Sequence, residues 1–284
     1  MFEFCTEPDT LESLSWLACY LTTPKHGLFY LSFITVIGLL LAAVGPILVL
    51  GLLGALAKRS ALFPVRWLGS LYTTMVRGIP DIVFFLFVPI ALDQGIEYVR
   101  HVVLCPEAEG SVWVGNDFVV CAAAKAPLST AAPWVHDTYG FILALIAYAI
   151  VFGAFAANII DGALRAVPKG QLESANAIGM SPFQVLWRIH LPQMWIYALP
   201  GLSNLWMILI KATPLLFLLG VEDIVYWARE LGGMKTQAYD YPHPDWRVWY
   251  FGGLLVFYLG LTWISQIGFD RLTARVSRGM AISR

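Results

Sequence analysis

Charge is the scarcest ingredient of this chain. Of 284 residues only 13% are Asp, Glu, Lys or Arg, while 58% are hydrophobic. A soluble domain carries about 25% charged residues, so the composition excludes an ordinary soluble globule and specifies an integral membrane protein. Basic excess is missing too: 18 Lys and Arg stand against 19 Asp and Glu, which excludes a nucleic-acid footprint. No GxxxxGK[ST] motif exists, and the GGMKT run at 232–236 lacks its Gly-Lys pair, so no P-loop cradles a nucleotide. HExxH and GxSxG are absent. The histidines are scattered singly at 26, 101, 136, 190 and 243, and no Cys/His set has zinc spacing. An intramembrane enzyme therefore has no catalytic constellation to stand on, and no metal site is expected.

A secretory leader is not expected either. Residues 1–27 begin acidic (Glu3, Glu7, Asp9, Glu12) and lack a compact apolar core, whereas a signal peptide starts basic. Targeting is expected to come from the spans. A crossing helix needs ~20 apolar residues, and five stretches qualify: 27–57, 68–92, 138–160, 193–221 and 248–269. The first is free of charge, with a kink expected at Gly45-Pro46. The second is interrupted by Arg77 and Asp81, and the fourth by Lys211. The expected fold is all-α and membrane-embedded, with an N-terminal extracytoplasmic tail (1–27), a transmembrane domain (28–270) and a cytoplasmic tail (271–284).

Basic residues orient the spans, because Lys and Arg concentrate on the cytoplasmic side. With the N-terminus outside, eleven fall in inner segments and six in outer ones, so the expected orientation is N-out and C-in. All four cysteines then lie outside. An oxidising compartment permits Cys5–Cys19 and Cys105–Cys121 bonds, the most local of three pairings; four free thiols are the alternative. The outer loop 93–137 opens with a candidate surface helix, DQGIEYVRHVVL, and continues into a candidate β-hairpin. In the outer loop 222–247, Trp227, Tyr239, Tyr241 and Trp246 suit an interfacial aromatic belt or a docking surface.

The stretch KGQLESANAIGMSPFQVLWRIHLP, 169–192, is unlike the rest. Pro168 suits a helix start, and Glu173 meets the positive end of a helix dipole. Ser174, Ala175, Ala177 and Gly179 make the first helix slim. Ser181-Pro182 reads as N-cap and first position of a second helix with an apolar pattern at Phe183, Leu186 and Ile189. An interfacial membrane helix is usually rich in Lys and Arg with large apolar anchors. This pattern instead predicts a short docking helix pair at the cytoplasmic face.

Glu173-Ser174-Ala175, then Gly179, Ile189 and Leu191-Pro192, resembles the EAA loop of permease subunits in ATP-binding-cassette importers. The runs GALRAVPKGQLESANAIGMS, LPQMWIYALPGLSNLWMILIK and RGIPDIVFF are similar to the polar amino acid (histidine/glutamine-type) branch. The resemblance implies a type I importer permease of the bacterial inner membrane, with about five spans and a coupling helix in loop 161–192. It implies partners: a cytoplasmic ATPase dimer, a second permease chain (a paralogue or an identical copy), a periplasmic solute-binding protein, membrane lipid and an amino acid substrate. No cofactor is expected in this chain; ATP and Mg belong to the ATPase, so the chain itself is no enzyme. Glu173, Ser174, Ala175, Gly179, Ile189, Leu191 and Pro192 are the implied coupling residues.

The chain also departs from the branch. Where the branch has a Glu, two residues and an Arg-Gly, this chain reads NIIDGAL, with Asn158 and Asp161. Intramembrane polar groups are candidate functional groups by default, so Lys211, Thr213, Asn158, Asp161 and Asp81 are the expected solute-path residues. Pro214 frees the Ile210 carbonyl near Lys211. Lys211 reads either as a solute contact or as the partner of Asp161, Asp81 or another chain. Asp81 and Asp161 favour a cationic solute. A stand-alone secondary transporter would show an inverted repeat, which five spans do not provide. A non-transporting scaffold leaves the spacing of the docking loop unexplained.

Overall fold

The computed structural model describes residue 5 and residues 12–107, 112–219 and 221–277. The elements in chain order are α1 (Ser13–Leu21), α2 (Pro24–Lys58), α3 (Phe63–Gly78), α4 (Asp81–Leu104), β1 (Trp113–Val114), β2 (Asp117–Phe118), α5 (Pro133–Ala166), α6 (Lys169–Ala177), α7 (Pro182–Val185), α8 (Leu191–Ala212), α9 (Ile224–Gly232) and α10 (Arg247–Val276). A π-helical turn, Leu186–His190, joins α7 to α8, and a 3-10 segment, Thr213–Leu219, follows α8. Five helical segments are long and apolar enough to cross a membrane: α2, α4, α5, Pro182–Phe217 and α10. The 35 residues of α2 and 34 of α5 give helices about 50 Å long. A hydrocarbon core is ~30 Å thick, so both helices extend beyond it.

The stretch 68–92 is not one span. The chain breaks at Ile79, which is extended (φ −113°, ψ 139°), because the Pro80 ring disfavours helix at the residue before it. Upstream, α3 packs on α5 and buries Thr73 and Val76. Downstream, α4 runs unbroken from Asp81 to Leu104, absorbing the segment expected to be a separate surface helix. One face of its C-terminal half is polar and occupied. Tyr139 donates to Asp93 (2.8 Å), the Ala126 amide donates to Glu97 (3.2 Å), and Arg100 donates to the Ala123 and Ala124 carbonyls (2.9 and 3.0 Å). These bonds strap residues 121–126 along α4. Cys105 and Cys121 are disulfide-bonded with Cα atoms 6.7 Å apart. Between them β1 and β2 pair antiparallel, Trp113 opposite Phe118.

The contacts divide the chain into two compact units, residues 1–41 with 207–268, and residues 42–206 with 269–284. In the first, a disulfide ties Cys5 to Cys19 of α1 (Cα–Cα 5.6 Å). Around it Tyr20 and Tyr241 are buried with Trp16 and Trp246. The Tyr20 hydroxyl meets His243 Nε2 at 2.8 Å, and His243 stacks on Trp246 with ring centroids 4.3 Å apart. The loop aromatics Tyr241 and Trp246 thus belong to a packed cluster.

In the second unit α2 and α5 approach through small residues. A Cβ on Gly51 would come 2.7 Å from the Ala156 Cβ, and one on Gly54 would come 2.8 Å from the Ala157 Cβ. Lipid tails are as apolar as leucine, so close backbone contact is what holds such helices together. This pairing brings the last turns of α2 and α5 side by side, just before the 169–192 stretch begins.

Candidate functional site

The 169–192 stretch folds as a closed, buttressed excursion between α5 and α8. Its first helix, α6, ends at Gly179 in the left-handed region (φ +81°). The Met180 amide donates to the Ala175 carbonyl (3.2 Å) and the Gly179 amide to Asn176 (3.0 Å). This is a Schellman ending, for which glycine is the favoured residue. Two residues later Ser181 caps α7. Its hydroxyl accepts from the Gln184 amide (3.4 Å), and the Gln184 side chain accepts from the Ser181 amide (3.0 Å). The two helices are therefore terminated and restarted by local chemistry.

The base of the excursion is apolar. Ile160, Ala163, Leu164 and Val167 of the α5 end pack with Leu191, Met194 and Ala198 of α8 and Ala55 of α2, and Leu172 and Leu186 lie against them. His190 Nε2 donates to the Leu164 carbonyl at 2.8 Å, both groups being buried. Gln193 donates to Gln171 across the two limbs. Both limbs of the excursion are thus bonded together and packed against the ends of α5 and α8.

Its outer surface carries Glu173, Ser174, Gly179 and Pro192, all exposed. Glu173 forms no ion pair among the described residues. Beside them stand large apolar groups: Ile178 is 79% and Phe183 70% exposed, and Phe183 meets Trp187 at 5.9 Å. The sequence pattern singled out Phe183 but passed over Ile178 and Trp187. Two of the implied coupling residues lie beneath this surface. Ala175 is 4% exposed, and Leu191 lies in the apolar base. Both face their own chain, so they shape the excursion from beneath. Ile189 is half-buried.

The expected solute-path residues part company. Asp161, 5% exposed, is met by Arg165 at 2.8 Å, Lys58 at 3.5 Å and Arg59 at 3.7 Å. Lys58 also donates to Asn158 at 2.7 Å, and Asn158 donates to the Ala154 carbonyl. Three cations thus surround one carboxylate. Arg165 lies on the same helix, while Lys58 ends α2 and Arg59 directly follows it. Asp81 begins α4 in the first turn after the break, where the helix dipole favours an acid.

Lys211 is exposed. Thr213 is buried. Its hydroxyl donates to the Ile210 carbonyl freed by Pro214 (2.9 Å) and lies 2.9 Å from the Tyr258 hydroxyl.

Asp223 escaped the sequence reading. It caps α9 by accepting from the Val225 and Tyr226 amides at 3.1 and 2.9 Å. An Asp directly before the apolar-periodic IVYWARE is the signal that marks it. His101 lies near Cys105 and Cys121, but it accepts the Cys121 amide (3.2 Å) and both sulfurs are in the disulfide.

Comparison with known proteins places these features in context. Residues 47–281 match the family model described as binding-protein-dependent transport system inner membrane component. The arginine ABC transporter permease protein ArtQ of Escherichia coli K12 is 30% identical over 85% of this chain and 92% of its own length. The histidine/lysine/arginine/ornithine transport system permease protein HisQ of Salmonella typhimurium is 31% identical over 87% and 92%. The nopaline transport system permease protein NocQ of Agrobacterium fabrum is 28% identical over 82% and 84%. Among solved structures, an amino acid ABC transporter with histidines gives a TM-score of 0.57 at 20% identity, covering 95% of this chain and all of that one. The inward-facing MetNI methionine ABC transporter gives 0.60 at 15% identity, over 90% of this chain and all of that one. These two likenesses concern the fold.

Proposed function

Because the chain belongs to the family of inner membrane components of binding-protein-dependent transport systems, we propose that it forms one half of the translocation path of an ATP-driven importer and couples to the ATPase through residues 169–192. The observation that carries this reading is the excursion itself. It is braced from below by an apolar base, closed by His190 and Leu164, and presents an unpaired Glu173 beside exposed Ile178, Phe183 and Trp187. Exposed apolar ridges mark protein or membrane contacts; this one runs from Ile178 into the first turns of the Pro182–Phe217 segment, and we read it as the part that enters a protein groove. Its rigid base converts a push on that ridge into movement of α5 and α8.

The partners follow from the family. A cytoplasmic ATPase dimer binds ATP and Mg, a second permease chain completes the path, and a solute-binding protein delivers the substrate. The N-terminus lies outside and the C-terminus inside, as the eleven-to-six distribution of basic residues favours. That orientation puts 169–192 on the ATPase side and both disulfides outside. The substrate is an amino acid with a cationic side chain or a conjugate of one, by analogy with the arginine, histidine/lysine/arginine/ornithine and nopaline permeases.

Purification of the chain from its native membrane in mild detergent, read by mass spectrometry, tests the reading. Wild type should bring down an ABC ATPase and a second permease, and Glu173→Arg should lose the ATPase while staying folded. A wild-type chain recovered intact without any ATPase would sink the proposal.

A further inference from the structure

We propose that Asp161 is a positioning residue that passes movement of the 169–192 excursion from α5 to α2. The inference rests on the ATPase-coupling reading above and deepens it. Asp161 sits in the last turns of α5, just ahead of α6, and is 5% exposed. Its three cationic neighbours are of two kinds. Arg165 lies one turn along on the same helix, at 2.8 Å from Oδ2. It balances charge but bridges nothing. Lys58 and Arg59 belong to the end of α2 and directly after it, about a hundred positions away in sequence, at 3.5 and 3.7 Å. They bridge two spans.

Lys58 is anchored twice on α5, by Asp161 and by the Asn158 side chain at 2.7 Å. The apolar contact between these helices is small-residue packing through Gly51 and Gly54. Such a contact holds the helices close but has no directional bonds. The charged node is directional. It lies at the level of the excursion and closes a mechanical route from α6, through Leu172 and the Leu164–His190 bond, into α5 and across to α2. The node also has slack. Asp161 Oδ1 is buried without a hydrogen bond among the described residues, and Arg59 stands just beyond bonding distance from it. A shift of under an ångström would seat that bond.

The test uses the whole complex (chain, second permease, ATPase and binding protein) reconstituted in liposomes. Uptake of a labelled mixture of arginine, lysine, ornithine and histidine is measured per ATP hydrolysed. Asp161→Asn and Lys58→Met should each assemble and hydrolyse ATP within twofold of wild type but lose tenfold or more in uptake per ATP. Arg165→Ala, which cuts only the same-helix pair, should keep the wild-type ratio.

A merely structural node would lower the amount of assembled complex in all three variants and leave the ratio unchanged. That result overturns the proposal. So does an Arg165→Ala variant as uncoupled as Lys58→Met. If Asp161→Asn does not fold, Lys58→Met carries the test alone, because Arg59 and Arg165 still neutralise the carboxylate. A wild-type complex that binds no ATPase overturns both this inference and the coupling reading. An active complex whose variants keep the wild-type ratio overturns only the inference.

Discussion

Replacing Asp223 by asparagine isolates the cost of a buried charge. The carboxylate is 0% exposed, and its Oδ2 has no hydrogen bond among the described residues. Burial outweighs the two amides that cap Oδ1 and pushes the carboxyl up from its ordinary 3.8 to about 6. One pKa unit is worth about 1.4 kcal/mol, so the ionised form weighs against folding by roughly 3 kcal/mol.

The folded state takes up its proton at about pH 6, before the unfolded chain does. The cost is therefore complete above pH 6 and fades as the pH falls toward 3.8. Stability from this residue declines as pH rises through that window. Asparagine keeps the cap oxygen and cannot ionise. At about pH 7.5 Asp223→Asn should stabilise by about 1–3 kcal/mol, falling to about half of that at about pH 5. Each kcal/mol moves Tm by roughly 2–4 °C in a chain of this size. Thermal unfolding in detergent, read as loss of the monodisperse peak at the two pH values, measures it. A variant that melts below wild type at the higher pH, or a gap that does not close at the lower, would refute the reasoning.

Two further substitutions probe the frame. Gly179→Ala meets no neighbour, because a Cβ there finds open space, yet it forces alanine to φ +81°. The cost of about 1–2 kcal/mol should speed hydrogen exchange of the Ile178–Met180 amides by roughly 5–30-fold, and Gly179→Asn should do so less. Gly51→Leu drives side-chain atoms into Ala156; overpacking of about 1–3 kcal/mol or more should cut the yield of monodisperse protein, while Gly45→Leu, which faces open space, should not.

Hydropathy alone located the long spans, because length and apolarity decide membrane crossing whatever the packing. It failed at 68–92, where averaging over Ile79 merged an amphipathic helix with the start of a span; the local rule for residues before proline was the better guide. Surface helix 93–104 was mistaken for a separate element because its charges look solvated. In fact Glu97 and Arg100 are bonded to 123–126 and Asp93 to Tyr139, contacts that spacing does not reveal.

The docking stretch was legible for a physical reason. Its caps, Gly179 and Ser181, are local chemistry, written in adjacent residues. The surroundings of Asp161 were only half legible: Arg165 is four residues away, but Lys58 and Arg59 are brought to it only by the α2–α5 packing. Burial of Ala175 and Leu191 beneath the same stretch was not legible, because small and apolar residues suit either face.

The central claim is that 169–192 receives the ATPase, and contact mapping in the native membrane tests it most directly. A photoreactive amino acid at exposed Phe183 should cross-link the chain to an ABC ATPase on illumination. The same group at Val185, 8% exposed two residues away, should not. Cross-links from Phe183 to lipid alone, with the ATPase present in the membrane, would contradict the account.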